Sequence, residues 1–142
     1  MNNEFCGVQT DFGPNPYVAN IPQKAMRNSN FRTAIWTGCN MQMTIMCIPV
    51  CSDIGVEIHQ DTDQIIRIEH GMAIVQMGNG KWHLDYKQNL REGDTVFVPA
   101  GTWHNIVNTG RKALKVASIY APPHHPAGTI HRTKAEAEME SY

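Results

Sequence analysis

Residues 93–108, GDTVFVPAGTWHNIVN, give the clearest indication of the fold, because two turn signals there alternate with short apolar runs rich in β-branched residues. Gly93-Asp94 predicts one turn, and PAGT at 99–102 predicts a second. The run TVFV between the turns is typical of a strand, and His104 begins another strand after the second turn. The stretch therefore predicts closely spaced antiparallel strands that are joined by tight turns.

Nine short apolar runs of this kind occupy residues 31–122, and Gly, Pro, Asn or Asp separate them. Their sequences are FRTAIW, MQMTIMCIPV, GVEIHQ, QIIRIEHG, MAIVQMG, KWHLDY, DTVFVP, HNIVN and LKVASIYAP. Strands at this spacing favour an antiparallel β-sandwich or barrel. No run alternates with a long helical segment, so an α/β fold is not expected.

Three polar side chains near the middle of the chain have the chemistry of metal ligands. Glu57 and His59 stand two residues apart, so on a strand they point to the same side. A hairpin at QDTD would return Gln64 beside them, and Asp61 and Asp63 then serve the turn. Together with His104 on a facing strand, these residues offer the imidazole nitrogens and carboxylate oxygen that suit a divalent first-row metal.

The spacing in residues 93–108 resembles the second motif of the cupin superfamily at every defined position. Gly93 is followed after five residues by Pro99, after one more by Gly101, after two by His104 and after three by Asn108. This resemblance implies an all-β fold, the cupin double-stranded β-helix or jelly-roll barrel, which holds one divalent metal ion.

The first cupin motif is present in altered form. Counting back from Gly71 puts Gln64 where the family has Glu, His59 at the second His and Glu57 at the first His, while Cys51 replaces the opening Gly. The resemblance implies that the metal ligands are Glu57, His59, Gln64 and His104. The two exchanges preserve a single negative charge at the site, which favours a working site over a barrel whose site has lapsed. The ion expected is zinc, manganese, iron or nickel.

The expected organisation is a single domain with two peripheral segments. Residues 1–30 form an irregular N-terminal arm with one or two helical turns after Ile21, residues 31–122 form the barrel, and residues 123–142 form a tail with a short helix in KAEAEMESY. The run MQMTIMCI is apolar on both faces, which indicates either a subunit interface or cover by the N-terminal arm. The resemblance implies a homodimer.

Composition limits the partners and the compartment. The 142 residues carry 12 Lys+Arg against 13 Asp+Glu, without a basic cluster, so nucleic acid and membrane are not expected as partners. The start, MNNEFCGVQTDFGP, does not resemble a signal peptide, and we expect a cytoplasmic protein. In that compartment the four cysteines are expected to be buried or half-buried thiols, and they are Cys6, Cys39, Cys47 and Cys51.

The remaining histidines and aromatic residues have ordinary interpretations as well as functional ones. His70 and His83 are expected to be solvated or satisfied strand residues, and Trp103 to pack on the face opposite His104. His124, His125 and His131 are expected in an exposed loop, although a tail folded over the barrel mouth would offer one of them as a fifth ligand or general base. Tyr120 and Arg67 are possible substrate contacts, with Arg67 facing away from the metal.

The expected function is that of a metal-dependent cupin acting on a small oxygen-rich metabolite. The segments RTAIWTG, DQIIRIEHG and SIYAPPHHPAGTIHRTKAEAE resemble small bacterial cupins described as similar to mannose-6-phosphate isomerase, which implies a sugar or sugar-phosphate isomerase. The basic side chains considered for a phosphate are scattered: Arg67, Lys81, Arg111 and Lys112. The alternatives are an iron-dependent dioxygenase that uses Glu57, His59 and His104, and a non-catalytic cupin that binds a small ligand.

Overall fold

Nine strands and two short helices make up the fold, which a computed structural model describes for residues 8–140. In chain order the elements are α1 (Ile21–Arg27), β1 (Arg32–Thr37), β2 (Gln42–Ile48), β3 (Asp63–His70), β4 (Met72–Gly78), β5 (Tyr86–Arg91), β6 (Thr95–Val98), β7 (Trp103–Asn108), β8 (Leu114–Ala121), β9 (Ile130–His131) and α2 (Lys134–Met139). A six-stranded antiparallel sheet has the order β6-β3-β8-β2-β1-β9, and a three-stranded one the order β5-β4-β7. The predicted all-β jelly-roll barrel with a short C-terminal helix is confirmed.

Strands β2, β8 and β3 lie side by side and line the inside of the barrel with matched rows of side chains. Residues paired directly across antiparallel strands point to the same face. At one end of the three strands the inward-facing residues are polar, and we call this set the polar end: Gln42, Thr44, Gln64, Ser118 and Tyr120. Towards the other end the same strands present the apolar end: Met46, Ile48, Ile68, Leu114 and Val116. All these residues are buried.

The outer face of the six-stranded sheet is covered in part by α1. Ala25 of this helix is fully buried against Ile35, Ile45 and Ala117. Asn20 caps the helix by accepting a hydrogen bond from the Gln23 backbone at 3.0 Å. The N-terminal arm therefore covers one part of the doubly apolar strand β2, and Met41 just before that strand is half exposed.

Two glycines and one asparagine of the segment at 93–108 have structural roles. Gly93 and Gly101 have φ values of +91° and +80°, which glycine adopts without strain. The side-chain amide of Asn108 donates to the backbone carbonyl oxygens of Ile48 at 3.0 Å and Lys112 at 2.9 Å. These residues bend and fasten the chain around β7, and His104 is left to contribute chemistry.

Two of the nine predicted strands are wrong in type or extent. In GVEIHQ only Glu57 makes an isolated bridge, since Gly55 with φ +91° turns the chain just before it. In KWHLDY the strand begins only at Tyr86, because Lys81 and Trp82 lie in an exposed turn. The two-residue strand β9, which pairs with β1, was not predicted.

The cysteine prediction is also partly wrong. Cys47 is half-buried as expected, but Cys39 and Cys51 are exposed, because each lies in a bend or turn outside the sheets. Cys6 lies outside the described residues. Across residues 8–140, neither helix is long and apolar enough to cross a membrane.

Candidate functional site

Glu57 and His104 are paired directly across two chain segments. The Glu57 backbone N–H donates to the His104 carbonyl at 3.0 Å, and the His104 N–H donates to the Glu57 carbonyl at 2.9 Å. This reciprocal pair puts both side chains on the same face of the barrel wall. Glu57 is thus held opposite the motif histidine although its own segment is not a regular strand.

His59 completes a group of three side chains at this place. Its Nε2 lies 3.1 Å from Glu57 Oε1, and His104 Nε2 lies 3.5 Å from the same oxygen. The backbone carbonyl of His59 accepts a hydrogen bond from Gly101 at 2.8 Å, which anchors the segment to the turn before β7. The side chains of His104 and His59 are 0% and 5% exposed, whereas Glu57 is 28% exposed and marks the side from which solvent reaches the group.

The tautomer of His104 follows from its second hydrogen bond. His104 Nδ1 lies 3.0 Å from the Thr102 carbonyl oxygen, which can only accept, so Nδ1 carries the proton. In the neutral ring Nε2 then presents its lone pair towards the Glu57 carboxylate. A backbone carbonyl on the far nitrogen is the usual arrangement that orients a metal-binding histidine.

These donors fit a divalent cation. One ligand atom from each of Glu57, His59 and His104 can be chosen so that all three lie within 4.8 Å of one another. Bonds of about 2.0–2.2 Å to a common ion would put them about 3 to 4 Å apart, which a small adjustment supplies. A lone pair and a carboxylate that face each other repel unless a cation lies between them, so the arrangement is suited to a bound ion.

The charge state of Glu57 agrees with this interpretation. Burial by itself raises the pKa of Glu57, but the hydrogen bonds and charges of His104 and His59 outweigh it. The pKa of the carboxyl group therefore lies well below its ordinary value, and the group is an anion at neutral pH. An ion that replaces the imidazole protons facing Glu57 would have two nitrogen donors and one negative oxygen donor around it.

Gln64, the fourth predicted ligand, is buried at the start of β3. Its Cα pairs with Tyr120 on β8, and the Tyr120 ring lies 5.7 Å from the His59 ring. The amide nitrogen donates to Ser118 Oγ at 3.4 Å, whereas the buried Oε1 accepts no hydrogen bond from the described residues. A buried acceptor without a donor costs free energy, so an oxygen ligand for a cation is a reasonable role for it.

The C-terminal tail lies across the polar end, and the expectation of an exposed histidine loop is wrong. The His124 ring centroid is 4.1 Å from that of His59, while His125 and His131 are buried. Gln42 holds the tail, because its Oε1 accepts from the backbone of His124 at 3.2 Å and of His125 at 2.9 Å. Of the alternatives that the sequence left open, the tail folded over the barrel mouth is the one observed.

Burial lowers the pKa values of both tail histidines nearest the site. For His125 burial is the main cause and the positive charge of Arg32 the next, and together they bring the pKa to about 2. For His124 burial again leads, followed by His59. Both imidazoles are therefore neutral near pH 7.

Arg32 is a site residue that the sequence analysis missed. It begins β1, is 5% exposed and lines a pocket of about 260 Å³ that also reaches Glu57 and His124. The signal was a lone arginine near the start of the first apolar run, FRTAIW, where it resembles a strand-end cation at the surface. Its inward placement depends on pairing between β1 and β9, which are far apart in sequence.

The remaining candidates lie away from the group. Asp63 accepts a hydrogen bond from Ala100 at 2.8 Å and so fastens the turn, as expected for a turn residue. His83 and Arg67 are exposed, and His70 is half-buried. Trp103 is half-buried at the start of β7.

Helix α2 borders the pocket and is tied to the barrel by side chains. Lys134 forms an ion pair with Asp53, and Asp53 also accepts a hydrogen bond from Asn105 at 3.0 Å. Thr133 caps the helix by accepting from the Glu136 backbone at 3.1 Å. The pocket entrance is thus built from the tail as well as from the barrel.

Comparison with known proteins gives consistent matches. The family model described as Cupin domain matches residues 44–120. The chain is similar to the uncharacterized protein YrkC of Bacillus subtilis, with 52% identity over 127 residues that cover 89% of this chain and 68% of that protein. It is 42% identical over 115 residues to protein L612 of Acanthamoeba polyphaga mimivirus, covering 80% of this chain and 70% of that protein. The crystal structure of BH2720 from Bacillus halodurans superposes with a TM-score of 0.91 at 49% identity, covering 92% and 99% of the two chains.

Proposed function

The chain belongs to the cupin domain family, and from that premise we propose that it is a metal-dependent cupin acting on a small oxygen-rich metabolite. The observation that carries the proposal is the convergence of Glu57, His59 and His104 on one point, with donor atoms within 4.8 Å. Gln64 is the proposed fourth ligand, through its buried Oε1. The ion is zinc, manganese, iron or nickel.

A divalent ion held there would polarise a carbonyl or hydroxyl oxygen of the metabolite. The protein's own contribution is position: the pocket of about 260 Å³ opens at Glu57, so a ligand enters from that side. The tail forms part of the wall of the same pocket, and its His124 ring is in contact with the His59 ring. Water is thereby kept from the buried imidazoles while one side of the site stays accessible.

Metal content is the test of this proposal. Protein purified without chelator is expected to contain about one equivalent of metal, and His104→Ala to reduce the affinity at least about tenfold, as changes in ligand support do. His83→Ala is the matched control, because His83 is an exposed histidine. Equal effects of the two substitutions, or metal-free wild-type protein that added divalent ions do not stabilise, would refute the proposal.

As the specific reaction we propose isomerisation of a sugar or a related hydroxy-carbonyl compound. Such a reaction needs a base that moves a proton between neighbouring carbons, and the neutral His124 next to His59 is placed for this role. The test is NMR in deuterated water with aldoses, ketoses and their phosphates. Solvent exchange at the carbon next to the carbonyl is expected, and its absence throughout the panel would contradict isomerisation.

An iron-dependent dioxygenase is the second candidate, and one observation favours it. Two histidines and one carboxylate, here His59, His104 and Glu57, are the ligand set of non-haem iron oxygenases. Iron in the purified protein together with substrate-dependent oxygen uptake would support this candidate. Binding of a metabolite without turnover in either assay would instead indicate a non-catalytic binding cupin.

We propose that the chain divides into an arm at 1–30, the barrel at 31–122 and a tail at 123–142. We also propose that two such chains form a homodimer through the outer face of the six-stranded sheet. The support is the apolar outer face of the six-stranded sheet, where Phe97 is exposed and Ile65 and Ile119 are only half-buried. Sedimentation equilibrium tests this, with Phe97→Glu expected to give monomers. A wild-type monomer at micromolar concentration would contradict it.

A further inference from the structure

The feature that the proposed function does not use is the buried guanidinium of Arg32. Arg32 lines the same pocket as Glu57, in company with Phe31, His124, His125 and Lys134. A fully charged group in such a position needs compensation, because removing a cation from water costs several kcal/mol. The groups around Arg32 show which of its N–H groups have a hydrogen-bond acceptor and which do not.

One edge of the guanidinium is already engaged. Arg32 Nη1 lies 3.0 Å from His131 Nδ1, and since arginine can only donate, Nδ1 is the acceptor. His131 Nε2 must then carry the ring proton, which it donates to Glu140 Oε1 at 3.0 Å. Glu140 therefore balances the arginine charge only through an intervening imidazole.

The other edge, formed by Nε and Nη2, meets no carboxylate. Nε is buried and has no hydrogen-bond partner among residues 8–140. Nη2 faces the thioether sulfur of Met46 at 3.9 Å, which is a weak acceptor. The guanidinium lies over the Phe31 ring at 5.4 Å and close to the Tyr120 hydroxyl. Burial raises the pKa of Tyr120, so the phenol is neutral and this edge of the guanidinium meets no anion.

The acidic side chains of the pocket do not supply that partner. The Glu57 carboxylate is engaged by His59 and His104, and Glu140 by His131. Glu138 is exposed on α2. Lys134 is neutralised by Asp53, so Arg32 is the cation that gives the inner part of the pocket its positive field.

We propose that the Nε–Nη2 edge of Arg32 binds a carboxylate of the metabolite, so that the ligand is a small organic acid. Two parallel N–H groups match the two oxygens of a planar carboxylate. The acid's other end carries hydroxyl or carbonyl oxygens that reach Glu57, His59 and His104, and this part rests on the proposed function. A phosphate would require further donors, whereas Lys134 is already paired with Asp53.

The test is calorimetric titration of the metal-loaded protein with malate and with its 4-amide. The amide keeps the 2-hydroxycarboxylate end and replaces the other carboxylate by a neutral group of similar shape. Wild-type protein is expected to bind malate about 10- to 100-fold more tightly than the amide, as for hydrogen bonds to a charged partner. Equal affinity for the two, or binding of inorganic phosphate in preference to malate, would overturn the carboxylate assignment without any variant.

Substitutions of Arg32 test whether this residue causes the preference for malate over its amide. Arg32→Met is expected to bind malate and its amide equally, and Arg32→Lys to keep only part of the preference, because an ammonium lacks the two-pronged edge. Arg67→Met, at an exposed arginine of β3, is the control and should retain the full preference. A full preference in folded Arg32→Lys and Arg32→Met, with folding shown by circular dichroism, would refute the role of Arg32.

Chelator-treated protein separates this inference from the proposed function. The preference for malate over its amide should persist there at weaker affinity, because Arg32 does not depend on the ion. Metal-loaded protein with no preference would leave the metal proposal standing and refute the acid subsite. A preference in a protein that binds no metal would support the subsite and refute the metal proposal.

Discussion

The polar end and the apolar end of the barrel are built by the same three strands, and they differ in how their side chains are satisfied. At the apolar end, Ile48 and Leu114 are fully buried and need only contacts with other carbon atoms. At the polar end, burial demands hydrogen bonds. The alternation of a strand determines which residues point inward, but the place along the strand at which these residues become polar determines where a ligand can bind.

Two buried glutamines at the polar end differ in how completely their hydrogen bonds are satisfied. Gln42 donates to Thr37 Oγ1 at 3.0 Å and to the His125 carbonyl at 2.9 Å, and it also accepts two backbone hydrogen bonds from the tail. Gln64 has one long hydrogen bond to Ser118 and an acceptor without a donor among the described residues. Gln42 is therefore a structural amide, whereas the Gln64 oxygen has no structural hydrogen bond of this kind.

The largest change in the free energy of unfolding is expected for a substitution at the apolar end. Ile48→Ala should lower the free energy of unfolding by about 2–5 kcal/mol, because it leaves a cavity in a tightly packed core. Urea denaturation measures this, with Ile130→Ala at an exposed position of β9 as the control. Metal stoichiometry should be unchanged, and a loss of metal in the folded variant would mean that the two ends are not independent.

A smaller change in the free energy of unfolding is expected for a substitution of Gln42. Gln42→Leu removes hydrogen bonds to two tail amides and leaves buried carbonyl and amide groups unpaired, which should cost about 1–3 kcal/mol. Hydrogen exchange at His124 and His125 should become faster, since their N–H groups lose their acceptor. Gln88→Leu on exposed β5 is the control, and unchanged exchange in Gln42→Leu would show that something else holds the tail.

The smallest change in the free energy of unfolding is expected for a substitution of Gln64. The same substitution is nevertheless expected to weaken metal binding clearly. Gln64→Leu replaces a buried acceptor that lacks a donor, so the metal-free protein should unfold with a free energy within about 1 kcal/mol of wild type. Metal affinity should nevertheless fall about tenfold, the size of effect seen when a supporting group is lost. Unchanged affinity, measured by competition with a chromophoric chelator, would remove Gln64 from the ligand set.

The sequence predicted those parts of the molecule that local chemistry determines. The turns at Gly93 and Gly101 and the strand that begins next to His104 follow from glycine conformation and β-branched runs. The segment with Glu57 was wrongly predicted as a strand, because its pairing with His104 is a single bridge after a turn.

The parts that were missed depend on contacts between distant residues. Arg32 meets His131, which lies 99 positions further along the chain, and no periodicity within either segment indicates this contact. The tail histidines were expected in solvent, since a proline-rich segment gives no sign of a buried partner such as Gln42. The grouping of Glu57, His59 and His104 could be predicted because motif spacing indicates it, whereas the pocket wall could not.

X-ray absorption spectroscopy of the protein loaded with one equivalent of zinc tests the proposed metal ligands directly. We expect a first shell of nitrogen and oxygen at about 2.0–2.2 Å that includes two imidazoles, and one imidazole fewer in His104→Ala. A shell with sulfur at about 2.3 Å, or one without imidazole scattering, would contradict the assignment of Glu57, His59 and His104 as the metal ligands.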